Sequence, residues 1–221
     1  MKQHRAVIFD LGGVILDSPF SAIRAWQSKH GLPATFFGSV VLGGGDAGAW
    51  ARLERGELGM PEFCSAFDAE LQSAGGPTGT AEIMAEMART TLLRPIMIEA
   101  VRRLRTAGLQ TAALTNNWVS DDGQYARMAE LQLEFDVFIE SCKVGLRKPD
   151  PRIYELTCRE LGVSPAEAVF LDDIGENLKA ARKLGITTIK VTEPAASLAE
   201  LERVLGVELV EPTPSIDSAR S

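Results

Sequence analysis

The chain has 221 residues, of which 45% are hydrophobic and 24% charged, and its mean hydropathy is +0.02. These values are typical of a globular protein with one core and a smaller inserted module, and they exclude a disordered or membrane-embedded chain. The net charge of -7 disfavours binding to nucleic acid or to an anionic membrane, so we expect neither as a partner.

The cysteines and the amino terminus indicate the cellular compartment. The three cysteines lack metal-ligand spacing, which predicts free thiols, and the amino terminus carries no targeting pattern. No apolar stretch approaches the ~20 residues that a membrane span needs. We therefore expect a cytoplasmic protein, either a monomer or a homodimer.

Short apolar runs alternate with helical patterns along most of the chain. The runs lie at residues 6–9, 110–114, 168–171 and 187–191, and the helical patterns lie at residues 97–107, 153–161 and 177–184. Such runs are typical of strands that are buried on both faces. The alternation predicts an α/β fold with a Rossmann-like parallel sheet and helices on both faces, formed by residues 1–18 and 92–210.

Residues 19–91 break this alternation because they are helix-like throughout. Glycine-rich turns interrupt them at residues 31–33, 43–45 and 75–77. We therefore predict a small helical cap inserted after the first strand. Residues 211–221 mix proline, serine and charge without apolar periodicity, which predicts a loose tail.

Four polar clusters lie just beyond the predicted strands. They are Asp10 with Gly12 and Gly13, Thr115 with Asn116 and Asn117, Lys148, and Asp172 and Asp173 with Gly175 and Asn177. In an open parallel sheet, ligands bind outside the carboxyl ends of the strands, so these clusters are expected to converge there. This convergence predicts a single site.

Most of these clusters, taken singly, also fit an ordinary structural role. Asp10 could belong to a strand-ending turn, Thr115 could cap a helix, and Lys148 could be a solvated loop charge. Asp172 and Asp173 differ because adjacent carboxylates after an apolar run repel each other unless a cation is present. One of them could still cap the following helix.

Together and in this order, the clusters resemble the four motifs of the haloacid dehalogenase-like hydrolases. The resemblance covers most of the chain and is closest from residue 114 to residue 191. There Leu114-Thr115-Asn116-Asn117, Lys148-Pro149-Asp150-Pro151 and Phe170-Leu171-Asp172-Asp173-Ile174-Gly175 look like the amino-terminal phosphatase domain of soluble epoxide hydrolase. The similar amino-terminal domain of multidomain acyl-CoA dehydrogenase family members shares the resemblance.

The resemblance implies a phosphoric monoester hydrolase that forms an aspartyl-phosphate on Asp10 and acts on a small phosphorylated metabolite. It also implies a Mg²⁺ cofactor, a hard cation that favours oxygen ligands. The implied metal ligands are the Asp10 carboxylate, the Gly12 carbonyl oxygen, the Asp173 carboxylate and Asp172, directly or through water.

The same resemblance implies roles for the remaining polar residues. Lys148 would pair with Asp10 and with the charge on the phosphoryl group. The implied substrate-binding residues are Thr115, through its hydroxyl, Asn116, through its backbone N–H, Gly13 and Trp118. Asn177 would orient the metal ligands by hydrogen bonding.

Gly12 departs from the family pattern, in which phosphatases usually carry a second Asp two residues after the nucleophile. Gly12 still provides a backbone carbonyl, but the side chain that acts as general acid and base is lost. General acid/base catalysis contributes roughly 10²–10⁴-fold to the rate. We therefore expect a slow phosphatase, or one selective for anomeric sugar, acyl or aryl phosphates, whose leaving groups are good. Asp17 is a weak candidate substitute and fits a structural role at the hinge.

Two other functions stay open at this point. A haloacid dehalogenase also lacks the second Asp, but it needs no metal, so Asp172 and Asp173 would be uncompensated beside an ionised nucleophile. A phosphate-ligand sensor or scaffold would keep the metal site without turnover.

Overall fold

The computed structural model describes residues 4–119 and 124–209. The tail predicted for residues 211–221 lies outside them. Within these residues, no helix combines the length and the apolar character that crossing a bilayer requires.

A parallel sheet forms the centre of the described fold. Its strands are β1 (Ala6–Phe9), β2 (Gln110–Thr115), β3 (Val137–Glu140), β4 (Ala168–Asp172) and β5 (Thr187–Lys190), in the order β3-β2-β1-β4-β5. β1 is central, and Ile8 pairs with Ala112 on one side and Phe170 on the other. The carboxyl ends of β1, β2 and β4 therefore meet at one edge.

The helices surround this sheet and fill the long insertion after β1. They are α1 (Phe20–Lys29), α2 (Phe36–Gly44), α3 (Ala49–Glu54), α4 (Met60–Ser73), α5 (Thr80–Thr90), α6 (Pro95–Thr106), α7 (Gln124–Gln132), α8 (Ser141–Val144), α9 (Pro151–Leu161), α10 (Gly175–Lys183) and α11 (Pro194–Leu205).

Alternate residues of β1 face two different apolar cores, because successive side chains of a strand point to opposite faces. Val7 and Phe9 belong to the core that includes residues of α6 and α11. Ile8 belongs to the core that includes residues of α9 and α10. The predicted α/β fold with helices on both faces of a parallel sheet is thus confirmed.

Three local features differ from the prediction. One is β3, a four-residue edge strand whose Val137 and Phe138 are only half-buried and which was not predicted. Another is the set of helices α7, α8 and α11, none of which was predicted. A run as short as β3 carries little periodicity, so pairing with β2 decides its conformation. The turn predicted at residues 43–45 begins later, because α2 continues to Gly44 and Gly45 is the first residue of this run with positive φ.

Helices α1 to α5 pack around an apolar cluster of their own. Its buried members all lie between residues 22 and 87, and Phe63, Phe67 and Leu71 are fully buried in it. Phe37 contacts Phe67 with ring centroids 5.2 Å apart. We call α1 to α5 the helical insertion, because they separate β1 from β2 and carry their own core.

Candidate active site

Asp10 is the first residue after β1, and its side chain is buried at the carboxyl end of the sheet. Its backbone N–H donates to the Leu171 carbonyl oxygen at 2.9 Å, so pairing with β4 continues up to this residue. Asp10 Oδ1 accepts a hydrogen bond from the Leu11 N–H at 2.7 Å and lies 2.7 Å from Lys148 Nζ. These contacts hold the carboxylate in one place.

Three carboxylates meet at this edge of the sheet. Asp10, Asp172 and Asp173 each offer an oxygen within 4.8 Å of the others. The register explains the proximity of Asp10 and Asp172, because Phe9 pairs with Leu171 and the residue that follows each of them is an aspartate. Residues 162 positions apart in the chain therefore lie side by side.

Gly13 makes the approach of Asp173 possible. A methyl group on Gly13 would lie 2.2 Å from Asp173 Oδ2, and the φ of +79° at Gly13 disfavours other residues. Gly13 is buried and lies outside the cavity lining described below. Gly13 therefore allows the close approach of Asp173, and the contact with substrate that the resemblance implied for Gly13 stays a prediction.

Lys148 connects two of the carboxylates from a fully buried position. Its Nζ lies 2.7 Å from Asp10 Oδ1 and donates to Asp172 Oδ2 at 2.8 Å. The Asn116 side chain makes two hydrogen bonds to the lysine backbone. Asn116 Oδ1 accepts from the Lys148 N–H at 2.8 Å, and Asn116 Nδ2 donates to the Lys148 carbonyl oxygen at 3.0 Å. The lysine is thus fixed at its backbone and at its ammonium.

Asp172 is enclosed by donors. Its Oδ1 accepts from the Ile174 N–H at 2.7 Å, and its Oδ2 accepts from Lys148 Nζ. Asn177 Nδ2 lies 3.2 Å from Oδ1 and 3.0 Å from Oδ2. Asn177 therefore donates to Asp172, and this is the kind of orienting hydrogen bond that the resemblance implied.

Burial makes these carboxylates difficult to ionise together. It raises the pKa of Asp10 to about 8, an effect that Lys148 opposes and Asp172 and Asp173 reinforce. Burial and the Asp172 charge raise the pKa of Asp173 to about 6. Burial alone would lower the pKa of Lys148, but Asp10 and Asp172 raise it, so the lysine stays protonated. One ammonium faces three carboxylates, and a divalent cation that favours oxygen ligands fits this donor set.

A cavity of about 790 Å³ opens between the sheet edge and the helical insertion. The predicted residues that line it are Asp10, Gly12, Thr115, Asn116, Trp118, Lys148, Asp173 and Asn177. Thr115 is the buried last residue of β2, and Trp118 contacts Trp50 with ring centroids 5.9 Å apart. The predicted site residues other than Gly13 and Asp172 thus share one cavity.

Most of the cavity wall is apolar, and much of it comes from the helical insertion. The wall includes Phe20, Ile23, Val41, Leu42, Met84 and Met87. Phe20 and Leu42 are 42% and 82% exposed, which is unusual for large apolar side chains. The cavity therefore combines a charged floor with an apolar wall.

Asp17 lies where the chain passes between the sheet and the helical insertion. Its Oδ1 accepts from Arg94 Nε at 3.0 Å, and Arg94 Nη1 donates to the Gly13 carbonyl oxygen at 2.6 Å. Asp17 does not belong to the cavity lining. These contacts favour the structural role at the hinge over a role as acid or base.

Two polar groups that were not predicted also contact the site. Glu54 of α3 accepts hydrogen bonds from Asn116 Nδ2 at 3.2 Å and from Arg147 Nε at 2.6 Å. The second group is the buried Glu140, which accepts a hydrogen bond from Asn117 Nδ2 at 2.8 Å. No local pattern marks these contacts of Glu54 with the site, because Asn116 and Arg147 lie 62 and 93 residues away in the chain.

Comparison with known proteins shows the family to which these motifs are similar. A family model described as haloacid dehalogenase-like hydrolase matches residues 4–185, which confirms the resemblance found in the sequence. The chain is 38% identical over 211 residues to acyl-CoA dehydrogenase family member 10 of Mus musculus, covering 94% of this chain and 20% of that protein. It is 35% identical to bifunctional epoxide hydrolase 2 of Sus scrofa, covering 96% of this chain and 40% of that protein. The chain thus spans less than half the length of these two relatives.

A third relative has nearly the same length. The chain is 30% identical over 210 residues to the sesquiterpene phosphatase astK of Aspergillus oryzae, covering 91% of this chain and 97% of that protein. Among solved structures, a Bacteroides thetaiotaomicron enzyme of the same family, in complex with magnesium and inorganic phosphate, has a TM-score of 0.60 at 20% identity, covering 88% of this chain and 98% of that one. A predicted hydrolase of the haloacid dehalogenase-like family from Porphyromonas gingivalis has a TM-score of 0.65 at 20% identity, covering 93% of this chain and 100% of that one. At these identities, the structures show a shared fold.

We predict that, without a divalent cation, the protein loses stability as the pH rises from about 5 to about 8. The pKa values of Asp10 and Asp173 are raised to about 8 and about 6, so the folded protein retains protons that the unfolded chain has already lost. Raising the pH therefore favours unfolding, and Mg²⁺ should stabilise the protein more at the higher pH. Thermal unfolding with and without Mg²⁺ at both pH values measures this.

Two carboxyl variants provide the comparison. Asp173→Asn should weaken both the pH dependence and the response to Mg²⁺, whereas Glu176→Gln, an exposed carboxylate of α10, should leave them unchanged. Equal stabilisation by Mg²⁺ at both pH values in the unaltered protein would contradict the prediction.

Proposed function

The chain belongs to the haloacid dehalogenase-like hydrolase family, and on that premise we propose that it is a Mg²⁺-dependent phosphomonoester hydrolase that forms an aspartyl-phosphate on Asp10. One observation carries the proposal: Lys148 Nζ lies 2.7 Å from the Asp10 carboxylate, and Asp172 and Asp173 complete the cluster. A nucleophile, a fixed cation and spare anionic ligands are the parts that phosphoryl transfer needs.

The reaction proceeds in two displacements at phosphorus. An Asp10 carboxylate oxygen forms a bond to phosphorus while the bond to the leaving oxygen breaks, and that oxygen takes a proton from water. A water molecule then attacks phosphorus, the bond between phosphorus and the Asp10 oxygen breaks, and the proton that this water loses neutralises the hydroxide left by the first step. The carboxylate is thereby regenerated and inorganic phosphate is released. Lys148 pairs with Asp10 and with the charge of the phosphoryl oxygens throughout.

Asp10, Asp173 and the Gly12 carbonyl oxygen are the groups that would hold Mg²⁺. The ion, when bound, neutralises the carboxylates and draws negative charge from the phosphoryl oxygens. Asp172 holds Lys148 in place, because its oxygens already accept from Lys148, Ile174 and Asn177. It therefore acts through the lysine or through water rather than as a direct ligand.

The end of β2 provides the groups that bind the phosphoryl oxygens. Thr115 is buried beside the carboxylate cluster, and its hydroxyl donates one hydrogen bond to a phosphoryl oxygen. The Asn116 side chain is engaged with Lys148, which leaves its backbone N–H for the phosphate. Trp118 lines the cavity and contacts the body of the substrate.

The apolar cavity wall supports a small phosphomonoester with an apolar body as the substrate. A phosphoryl group fits the charged floor. Burial of a hydrocarbon chain against Ile23, Val41 and Met84 lowers the free energy of binding, because it removes apolar surface from water. The relative from Aspergillus oryzae, named as a sesquiterpene phosphatase, supports the same substrate class. In this proposal, residues 19–91 act as a cap that provides specificity over a core of residues 1–18 and 92–210.

We predict that the protein hydrolyses para-nitrophenyl phosphate with Mg²⁺, that EDTA abolishes this activity and that excess Mg²⁺ restores it. Asp10→Asn should lower turnover by about 10³-fold or more, because the nucleophile is lost. Asp46→Asn, an exposed carboxylate of the helical insertion, serves as the matched control. Metal-independent release of halide from a haloacid would instead indicate a dehalogenase, and binding of phosphate without turnover would indicate a sensor.

Gly12→Asp should raise turnover of simple alkyl phosphates by up to about 10²-fold, because it supplies a proton donor for a basic leaving group. Gly12 has room for a side chain, since a methyl group added there would lie 3.6 Å from its nearest neighbour, Pro19 Cδ. The gain should be small for para-nitrophenyl phosphate, whose leaving group needs no proton. Gly12→Asn, of the same size without a titratable proton, should show no gain, and an equal gain there would disprove the acid role.

The KM for n-alkyl phosphates should fall about three- to fourfold for each methylene buried in the cavity. Val41→Asp should flatten this dependence by placing a charge on the apolar wall, whereas Leu133→Asp, at a position 80% exposed and outside the lining, should preserve it. Steady-state kinetics with a series of n-alkyl phosphates measures how the logarithm of KM changes with chain length. This slope does not depend on overall activity. A KM that is independent of chain length would rule out an apolar body.

A further inference from the structure

Glu54 places a buried negative charge of the helical insertion against the sheet. It is the last residue of α3 and is only 7% exposed. Its Oε1 accepts from Trp50 Nε1 at 3.0 Å within the helical insertion. Its Oε2 accepts from Arg147 Nε at 2.6 Å and from Asn116 Nδ2 at 3.2 Å, and both of these residues belong to the sheet side of the cavity.

Both sheet-side partners of Glu54 lead directly to Lys148. Arg147 precedes it in the chain, and the Asn116 side chain contacts the Lys148 backbone through both its oxygen and its nitrogen. Lys148 in turn places its ammonium 2.7 Å from the Asp10 carboxylate. Hydrogen bonds to the Lys148 backbone, followed by the lysine side chain and its ion pair, therefore connect α3 to the nucleophile.

The turn after α3 lies directly against the sheet side of the cavity. Gly56 has a φ of +72°, and a methyl group there would lie 2.2 Å from the Cys142 carbonyl oxygen of α8. This close approach fixes the end of α3, and with it Glu54, relative to the sheet. The Glu54 contacts thus form when the helical insertion lies in this position.

We propose that Glu54 is a positioning residue that couples the placement of the helical insertion to the placement of Lys148 beside Asp10. The proposal rests on the phosphoryl-transfer function above. Glu54 acts through its contacts, because its carboxylate accepts from Trp50, Asn116 and Arg147 at once. Lys148 is then held for phosphoryl transfer when the helical insertion covers the cavity.

Glu54→Gln tests this coupling because it preserves size and removes the charge. A glutamine has one oxygen, so its amide N–H groups would face either the Trp50 donor or the donors of Asn116 and Arg147. We expect kcat for para-nitrophenyl phosphate to fall about tenfold, with KM changed by less than about threefold, because a lost charge-assisted hydrogen bond displaces the lysine rather than the substrate.

Glu70→Gln is the matched control. Glu70 of α4 accepts from the Ala49 N–H at 2.8 Å, so it contacts the first residue of α3, whereas Glu54 is the last. This contact lies wholly within the helical insertion. A purely structural contribution of α3 would change both variants alike. We expect Glu70→Gln to keep kcat and KM within about twofold of the unaltered protein, as for a change away from the reacting groups.

Hydrogen exchange of the Lys148 amide gives a second readout that does not depend on turnover. This N–H donates to Asn116 Oδ1, so Glu54→Gln should speed its exchange and Glu70→Gln should not. Absence of phosphatase activity in the unaltered protein would refute the proposed function, while the exchange comparison would still decide the coupling.

Three results would overturn the inference. They are equal kcat in the two variants, unchanged exchange at Lys148 in Glu54→Gln, or an effect of Glu54→Gln on KM alone. If Glu54→Gln does not fold, Glu54→Asp replaces it, because it keeps the charge and withdraws it by one methylene. That variant should show a lower kcat than Glu70→Gln with the fold retained, and an unchanged kcat would refute the coupling.

Discussion

The buried Lys148 ammonium between Asp10 and Asp172 is the interaction on which the site depends. Removing charged groups from water is unfavourable unless they are paired, and this lysine pairs with two carboxylates at 2.7 and 2.8 Å. The strand order makes the pairing possible, because β1 and β4 are neighbours and each leads into an aspartate. One lysine still leaves an excess of negative charge among the three carboxylates, which is the physical reason for proposing a cation there.

In the proposed function, the helical insertion adds specificity to this charged centre. Phe63 and Phe67 are buried in an apolar core among α1 to α5, and residues of these helices also form much of the apolar cavity wall. The cavity thereby gains an apolar wall above a charged floor. Glu54 is the exception on this wall, because its carboxylate contacts Asn116 and Arg147 on the sheet side.

Much of the site could be predicted from sequence because its residues occur in local motifs. Asp10, Lys148 and the pair Asp172-Asp173 each lie just beyond an apolar run or within a short polar motif, and the parallel sheet brings such positions to one edge. Gly13 could be found as a turn residue, but its place beneath Asp173 could not. That place depends on a contact between two loops that are distant in the chain.

The sequence by itself determined the alternating fold, the central strands and the acidic centre, because buried strands and adjacent carboxylates leave strong local patterns. Only the tertiary structure decided the edge strand β3, the contact of Lys148 with Asp172, and the contacts of Glu54 across the cavity. These features share one physical reason: their energy comes from partners far away in the chain, which no window of neighbouring residues contains.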